Sequence, residues 1–143
     1  MAASKSADLG GMQLPTVVEM ASMSFFYKAS VALAAYPMLT RGNANTLLAH
    51  GTPKQIEVFA KPGFEGRTFG TMCLSEPQAG SSLSDILTKA VPDTAHASDW
   101  EQPDWDIDSL GKRYRLTGNK MWISGGEHEM GENIVHLVLA KIP

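Results

Sequence analysis

The hydrophobic period of this chain changes partway along it, and that change restricts the fold more than any other feature. Ahead of residues 61–66, Lys-Pro-Gly-Phe-Glu-Gly, apolar side chains recur at helical spacing; beyond them the spacing moves toward the alternation of strands. A stretch this rich in turn residues reads as a linker between two kinds of structure. The expectation is an α+β protein: residues 1–14 as a flexible N-terminus, 15–62 helical, 63–143 built of strands.

In the helical part, Leu14-Pro15 opens a helix, with proline suited to the first turn. Residues 16–36 carry a stripe of Val18, Ala21, Ser22, Phe25, Ala29, Ala32, Leu33 and Tyr36, and Pro37 predicts a break. Glu19 and Lys28 are the only charges there, so the helix is apolar almost all round. Such a helix belongs in a buried setting, and a chain of 143 residues has little material to cover it. Partners from further chain or another subunit are therefore expected. A second helix over 38–49 ends at His50-Gly51. Thr52-Pro53-Lys54-Gln55 then reads as a capping box starting a short helix over 53–60.

In the second part, 68–74 and 87–91 read as strands. Residues 113–117 and 120–124 read as a hairpin across Gly118-Asn119, and 134–142 as the longest strand. Residues 93–108 form an acidic segment carrying Trp100 and Trp105, read as a solvated insertion or, less simply, a subunit or domain contact.

Composition removes several classes of function. A net charge of −3 without a basic cluster argues against nucleic acid as the main partner. No apolar run is long enough to span a bilayer, and the N-terminal residues lack a secretory apolar core. A single cysteine, Cys73, excludes an internal disulfide and suits a reducing cytoplasm. It reads as a small core residue, with nothing basic beside it in sequence to activate the thiol. His50, His96, His128 and His136 have no cysteines at ligand spacing, so no metal site is expected. Gly125, Gly126 and Gly131 do not make a dinucleotide fingerprint.

Two stretches carry chemistry. In residues 71–82 an extended apolar run gives way to Ser75-Glu76-Pro77-Gln78-Ala79-Gly80-Ser81-Ser82, a turn bearing hydroxyls and backbone N–H groups. Such a turn suits a polar, anionic, ring-bearing ligand, although strand-to-turn punctuation alone is ordinary. Residues 118–126, Gly-Asn-Lys-Met-Trp-Ile-Ser-Gly-Gly, add the flat face of Trp122 and the hydroxyl of Ser124, read as lying on one side of a strand. In isolation Trp122 could as well be a core residue. Glu76, just before proline, reads as a carboxylate that accepts backbone donors and holds the loop rather than as a catalytic base.

Together the two stretches resemble the paired flavin-binding signatures of the acyl-CoA dehydrogenase family. The run 124–140 resembles the branch that contains the methylmercaptopropionyl-CoA dehydrogenases. The resemblance implies an antiparallel, barrel-like β domain after the last helices of an N-terminal helical domain, with the chain a fragment of a longer protein. It implies FAD as cofactor. Leu74 and Ser75 would lie along the ring's pyrimidine side, Gly80 and Ser81 near phosphate, and Trp122 against the ring with Ile123 beside it in the motif and Ser124 donating nearby. Met72 matches a position often aromatic in relatives, and Ser81 also matches one that touches the CoA thioester. The implied reaction is α,β-desaturation of an acyl-CoA, with an electron-transfer flavoprotein or similar acceptor and a homo-oligomeric full-length protein. The catalytic carboxylate is expected beyond Pro143, so none is assigned here. Two alternatives stay open: a flavin-binding homologue without desaturase activity, regulatory or nucleic-acid-associated, and a flavin monooxygenase on the same fold.

Overall fold

The computed structural model describes residues 2–93 and 110–143. The segment with Trp100 and Trp105, and His96 with it, lies outside the described residues. Contacts divide the chain into two compact units, Met1–Met72 with Ser124–Leu137, and Cys73–Ile123 with Val138–Pro143.

The first unit is mostly helical. Helix α1 is Thr16–Ala29 and α2 is Val31–His50. The break falls at Ser30 rather than at Pro37. Ser30 leaves the helical conformation, and its hydroxyl accepts the Leu33 N–H at 3.3 Å as the N-cap of α2. Pro37 sits inside α2, where it forfeits one hydrogen bond to Leu33 and leaves the rest of the ladder intact. Thr52 and Gln55 close the expected capping box, starting α3 (Pro53–Gln55). Helical structure then continues past the expected end, through a π turn over Ile56–Ala60 into α4 (Lys61–Glu65). Pro62 is tolerated there because it falls in the first turn of α4, and Gly66, left-handed at φ 81°, ends it.

The N-terminal residues fold back through a short 3₁₀ turn, Ala7–Leu9. Ala2 and Leu9 join Ala44, Ala60 and Phe64 in the unit's apolar core. Helix α1 is inverted relative to its composition. Glu19 is 6% exposed, whereas Phe25 is 74% and Val17 72% exposed. The buried carboxylate accepts the Ser4 N–H at 3.1 Å and an Arg41 N–H at 3.2 Å. Burial alone would raise its pKa, but those hydrogen bonds outweigh burial and hold it below the ordinary value.

Strand β1 is Thr68–Cys73, and it pairs in a two-stranded sheet with β4, Asn133–Val138. Arg67 O accepts from Glu132 N and Cys73 O from Leu139 N, so the partners advance together, the parallel sense. Two α2 side chains fasten this sheet. The Thr40 hydroxyl accepts the Gly70 N–H at 3.1 Å, and the Asn43 amide donates to Thr71 O at 3.0 Å and Val135 O at 2.8 Å. His136 lies 2.7 Å from the Thr71 hydroxyl through Nδ1.

In the second unit, β2 (Lys89–Pro92) pairs antiparallel with β3 (Tyr114–Thr117), in the register Lys89↔Thr117 to Pro92↔Tyr114. The hairpin expected across Gly118-Asn119 does not form, because β3 is already taken by β2 and residues 120–123 are not a strand. Gly118 is used for closeness instead: a Cβ there would run into Thr88. The expected long strand over 134–142 ends at Val138, with Lys141 bridging separately to Lys89. The α+β class holds; among the described residues neither sheet closes into a barrel, and only the β2–β3 pair is antiparallel.

Candidate functional site

The serine-bearing turn begins where β1 ends. Glu76 N donates to Ala79 O at 2.8 Å and Ala79 N to Glu76 O at 3.1 Å, closing a tight turn with Pro77 and Gln78 at its tip. Proline's fixed φ suits the second position of such a turn. The turn is held from inside by the Glu76 carboxylate, which is 2% exposed. It accepts from Leu87 N at 2.6 Å, Thr88 N at 3.0 Å, the Thr88 hydroxyl at 2.6 Å and the Gln78 amide at 2.7 Å. Lys120 Nζ lies 2.9 Å from the same carboxylate. Burial pushes the Glu76 pKa up, but the Leu87, Thr88 and Lys120 donors prevail and hold it far below the carboxylate range. A carboxylate so fully engaged is a structural anion, not a proton acceptor. The sequence reading of Glu76 as the holder of the loop agrees with this geometry.

Lys120 also donates to Leu74 O at 2.9 Å, across 46 positions of sequence. Next to it, Met121 N donates to Ser75 O at 3.0 Å. The two stretches singled out in the sequence are therefore in direct hydrogen-bonded contact within one compact unit. Trp122 follows immediately. Its backbone is left-handed, φ 56°, and the residue is 72% exposed. A bulky aromatic residue in that region is a true outlier, and holding it there costs roughly 1–2 kcal/mol. The expectation that Trp122 and Ser124 share one side of a strand is corrected by that conformation.

Leu74 and Ser75 are half-buried beside the clasp; Gly80 and Ser81 are exposed on the far limb of the turn; Ile123 is half-buried. Among the described residues no protein group takes the Ser75 or Ser81 hydroxyl. Met72 and Ser124 belong to the first unit. There Met72 is half-buried in β1, and Ser124 leads into Gly125, which at φ 65° sits against the Tyr36 ring. Tyr36, Phe69 and His128 pack edge-to-face, His128 lying 5.2 Å and 4.7 Å from the other two ring centroids.

The sequence reading missed two features. Lys120 gives no local signal, because its acceptors lie far off in the chain. The first unit also holds an apolar cavity of about 400 Å³ at the α1–α2 elbow, lined by Met23, Phe26, Leu33, Ala34 and Pro37. Its signal was present in the all-round apolar helix, but the Ser30 break that shapes it was not anticipated. Among the described residues no group of three or more His, Cys, Asp or Glu could hold a metal ion, and no helix is long and apolar enough to cross a membrane.

A hydroxyl-bearing turn clasped to an exposed tryptophan on an α+β scaffold defines a candidate binding module for a flat polar ligand. No family model matches the chain. It is 39% identical over 140 residues to 3-methylmercaptopropionyl-CoA dehydrogenase of Ruegeria pomeroyi, covering 98% of this chain and 21% of that protein. It is 33% identical over 132 residues to a butyryl-CoA dehydrogenase of Syntrophomonas wolfei, covering 92% and 19%. It is 31% identical over 101 residues to 3-sulfinopropanoyl-CoA desulfinase of Variovorax paradoxus, covering 71% and 20%. By descent the chain is a segment of the acyl-CoA dehydrogenase family, spanning about a fifth of the length of these relatives.

Proposed function

We propose that this chain is the flavin-facing segment of an FAD-dependent acyl-CoA dehydrogenase whose whole protein desaturates an acyl-CoA thioester between its α and β carbons. The observation that carries this reading is the clasp, Lys120 to Leu74 O and Glu76 together with Met121 to Ser75 O, which joins the two signature stretches. The three relatives' names share an acyl-CoA, but two name a dehydrogenase and the third a desulfinase, which supports the ligand class more strongly than the exact reaction.

The residues of the second unit fit a flavin dinucleotide. Trp122 offers an exposed indole face, and the Ser75 and Ser81 hydroxyls are available as donors. Nothing lies within 4 Å of where a Gly80 Cβ would be, so a phosphate could approach that backbone closely. In this reading Leu74 and Trp122 wall the ring with Ile123 behind. Ser75 donates to its polar edge, and Gly80 and Ser81 present N–H groups and a hydroxyl to phosphate, Ser81 also facing the thioester. When bound, FAD supplies hydride acceptance; the residues here bind, orient and exclude water. Glu76, locked as an anion, takes no proton. The helical residues 15–62 are assigned to an N-terminal helical domain and 63–143 to a middle β domain. The whole protein would use an electron-transfer flavoprotein or similar acceptor and assemble as a homo-oligomer.

The test is a titration of the isotope-labelled 143-residue chain with FAD, followed by amide NMR shifts, which detect even weak binding. Saturable shifts confined to residues 74–82 and 120–124 are expected. Shifts that are absent at millimolar FAD, or that fall elsewhere, refute the reading.

A further inference from the structure

The strained backbone at Trp122 needs something to hold it, and the two residues before it supply the means. Left-handed φ at a non-glycine residue persists only where its surroundings over-determine it. Trp122 itself makes little contact, being 72% exposed, so packing of its own ring does not enforce the conformation. The restraint has to come through the chain. Two residues before it, the Lys120 side chain is 11% exposed and its ammonium meets both Leu74 O and the Glu76 carboxylate at 2.9 Å. One residue before it, the Met121 amide is tied to Ser75 O. Glu76 is in turn fixed by Leu87, Thr88 and Gln78, so Lys120 docks on an anchor that cannot follow it outward.

We propose that Lys120 is a positioning residue: its ammonium, bridging Leu74 O and Glu76, sets the register of 120–122 against 74–76 and thereby presents the Trp122 indole beside Ser75. The ligand side of this inference rests on the flavin reading above; the register side does not. Lysine suits the task because a single nitrogen with three donors can serve a carbonyl and a carboxylate at once. Arginine keeps the charge but spreads its donors over a planar fork. Methionine keeps the stem and removes both bonds.

The experiment compares the wild-type chain with Lys120→Met and Lys120→Arg by amide hydrogen exchange and FAD titration, both read by NMR. In Lys120→Met the Met121 amide is expected to exchange at least tenfold faster, while the Asn43-bound sheet and the Ala90 amide keep their protection. The apparent dissociation constant for FAD is expected to rise at least tenfold, and Lys120→Arg should recover most of it. Met121 exchange unchanged in Lys120→Met overturns the proposal, and so does a lower melting temperature with FAD affinity untouched. Should Lys120→Met lose its far-UV spectrum, Lys120→Gln, which drops the charge and shortens the stem, decides: a Met121 amide less protected than wild type supports the bridge, and an unaltered one overturns it. A wild-type chain that gives no FAD response, yet loses Met121 protection in the variants, sinks the flavin reading while leaving the register role standing.

Discussion

Asn43 stands so close to Gly70 that a Cβ on the glycine would lie 2.6 Å from the Asn43 Cβ. That closeness lets one side-chain amide reach the carbonyls of both Thr71 and Val135, and so tie α2 to β1 and β4 together. Asn43 is 2% exposed, and removing its amide strips a donor from two carbonyls. Asn43→Ala is expected to destabilise the chain by about 1–3 kcal/mol. Gly70→Ala should lose about 1–3 kcal/mol by overpacking. The double variant should fall short of the sum, since both changes act on one contact. Urea denaturation checks all three; additivity within about 0.3 kcal/mol would contradict the coupling.

Trp122→Gly separates stability from binding. Glycine adopts left-handed φ freely, so relief of strain should raise stability by up to about 1–2 kcal/mol. Little packing is lost from a side chain so exposed. FAD-induced shifts at 74–82 should nonetheless collapse. A large drop in melting temperature would show that the indole is a packing residue after all.

Glu76 sets an acid limit. Its folded pKa is depressed, so its contribution is fully present above the unfolded carboxyl value of about 4.3 and is lost as pH falls toward the folded value. Glu76→Gln should therefore melt well below wild type at pH 7. The gap should narrow steadily as pH drops below about 4. Melting temperatures taken from pH 7 to pH 2 decide the matter; a gap that stays constant would rule out ionisation as the source.

Ser30→Ala removes the side chain that caps α2, and should cost about 1 kcal/mol, measurable by thermal denaturation. A neutral result would mean that the elbow is set by the apolar residues around it instead.

Local chemistry was readable in the chain, and long-range pairing was not. The Thr52–Gln55 capping box and the end of α2 at His50 follow from a few adjacent residues, and both are found. Pro37 was given too much weight: a proline early in a long helix forfeits one bond, whereas the Ser30 cap supplies one. Gly118-Asn119 has hairpin composition, but Tyr114–Thr117 pairs with Lys89–Pro92, and Gly118 serves close approach to Thr88. Nothing near Lys120 in sequence reveals that its partners are Leu74 and Glu76. Glu76 was legible because a carboxylate just before a proline turn, beside free backbone donors, has few other uses.

The most direct measurement is the intermolecular NOE spectrum of the labelled chain with FAD. Cross-peaks from the Trp122 indole and the Ser75 backbone to the same flavin ring protons are expected. Ring protons that contact neither residue, or only residues outside 74–82 and 120–124, would contradict the claim that these two stretches form one binding face.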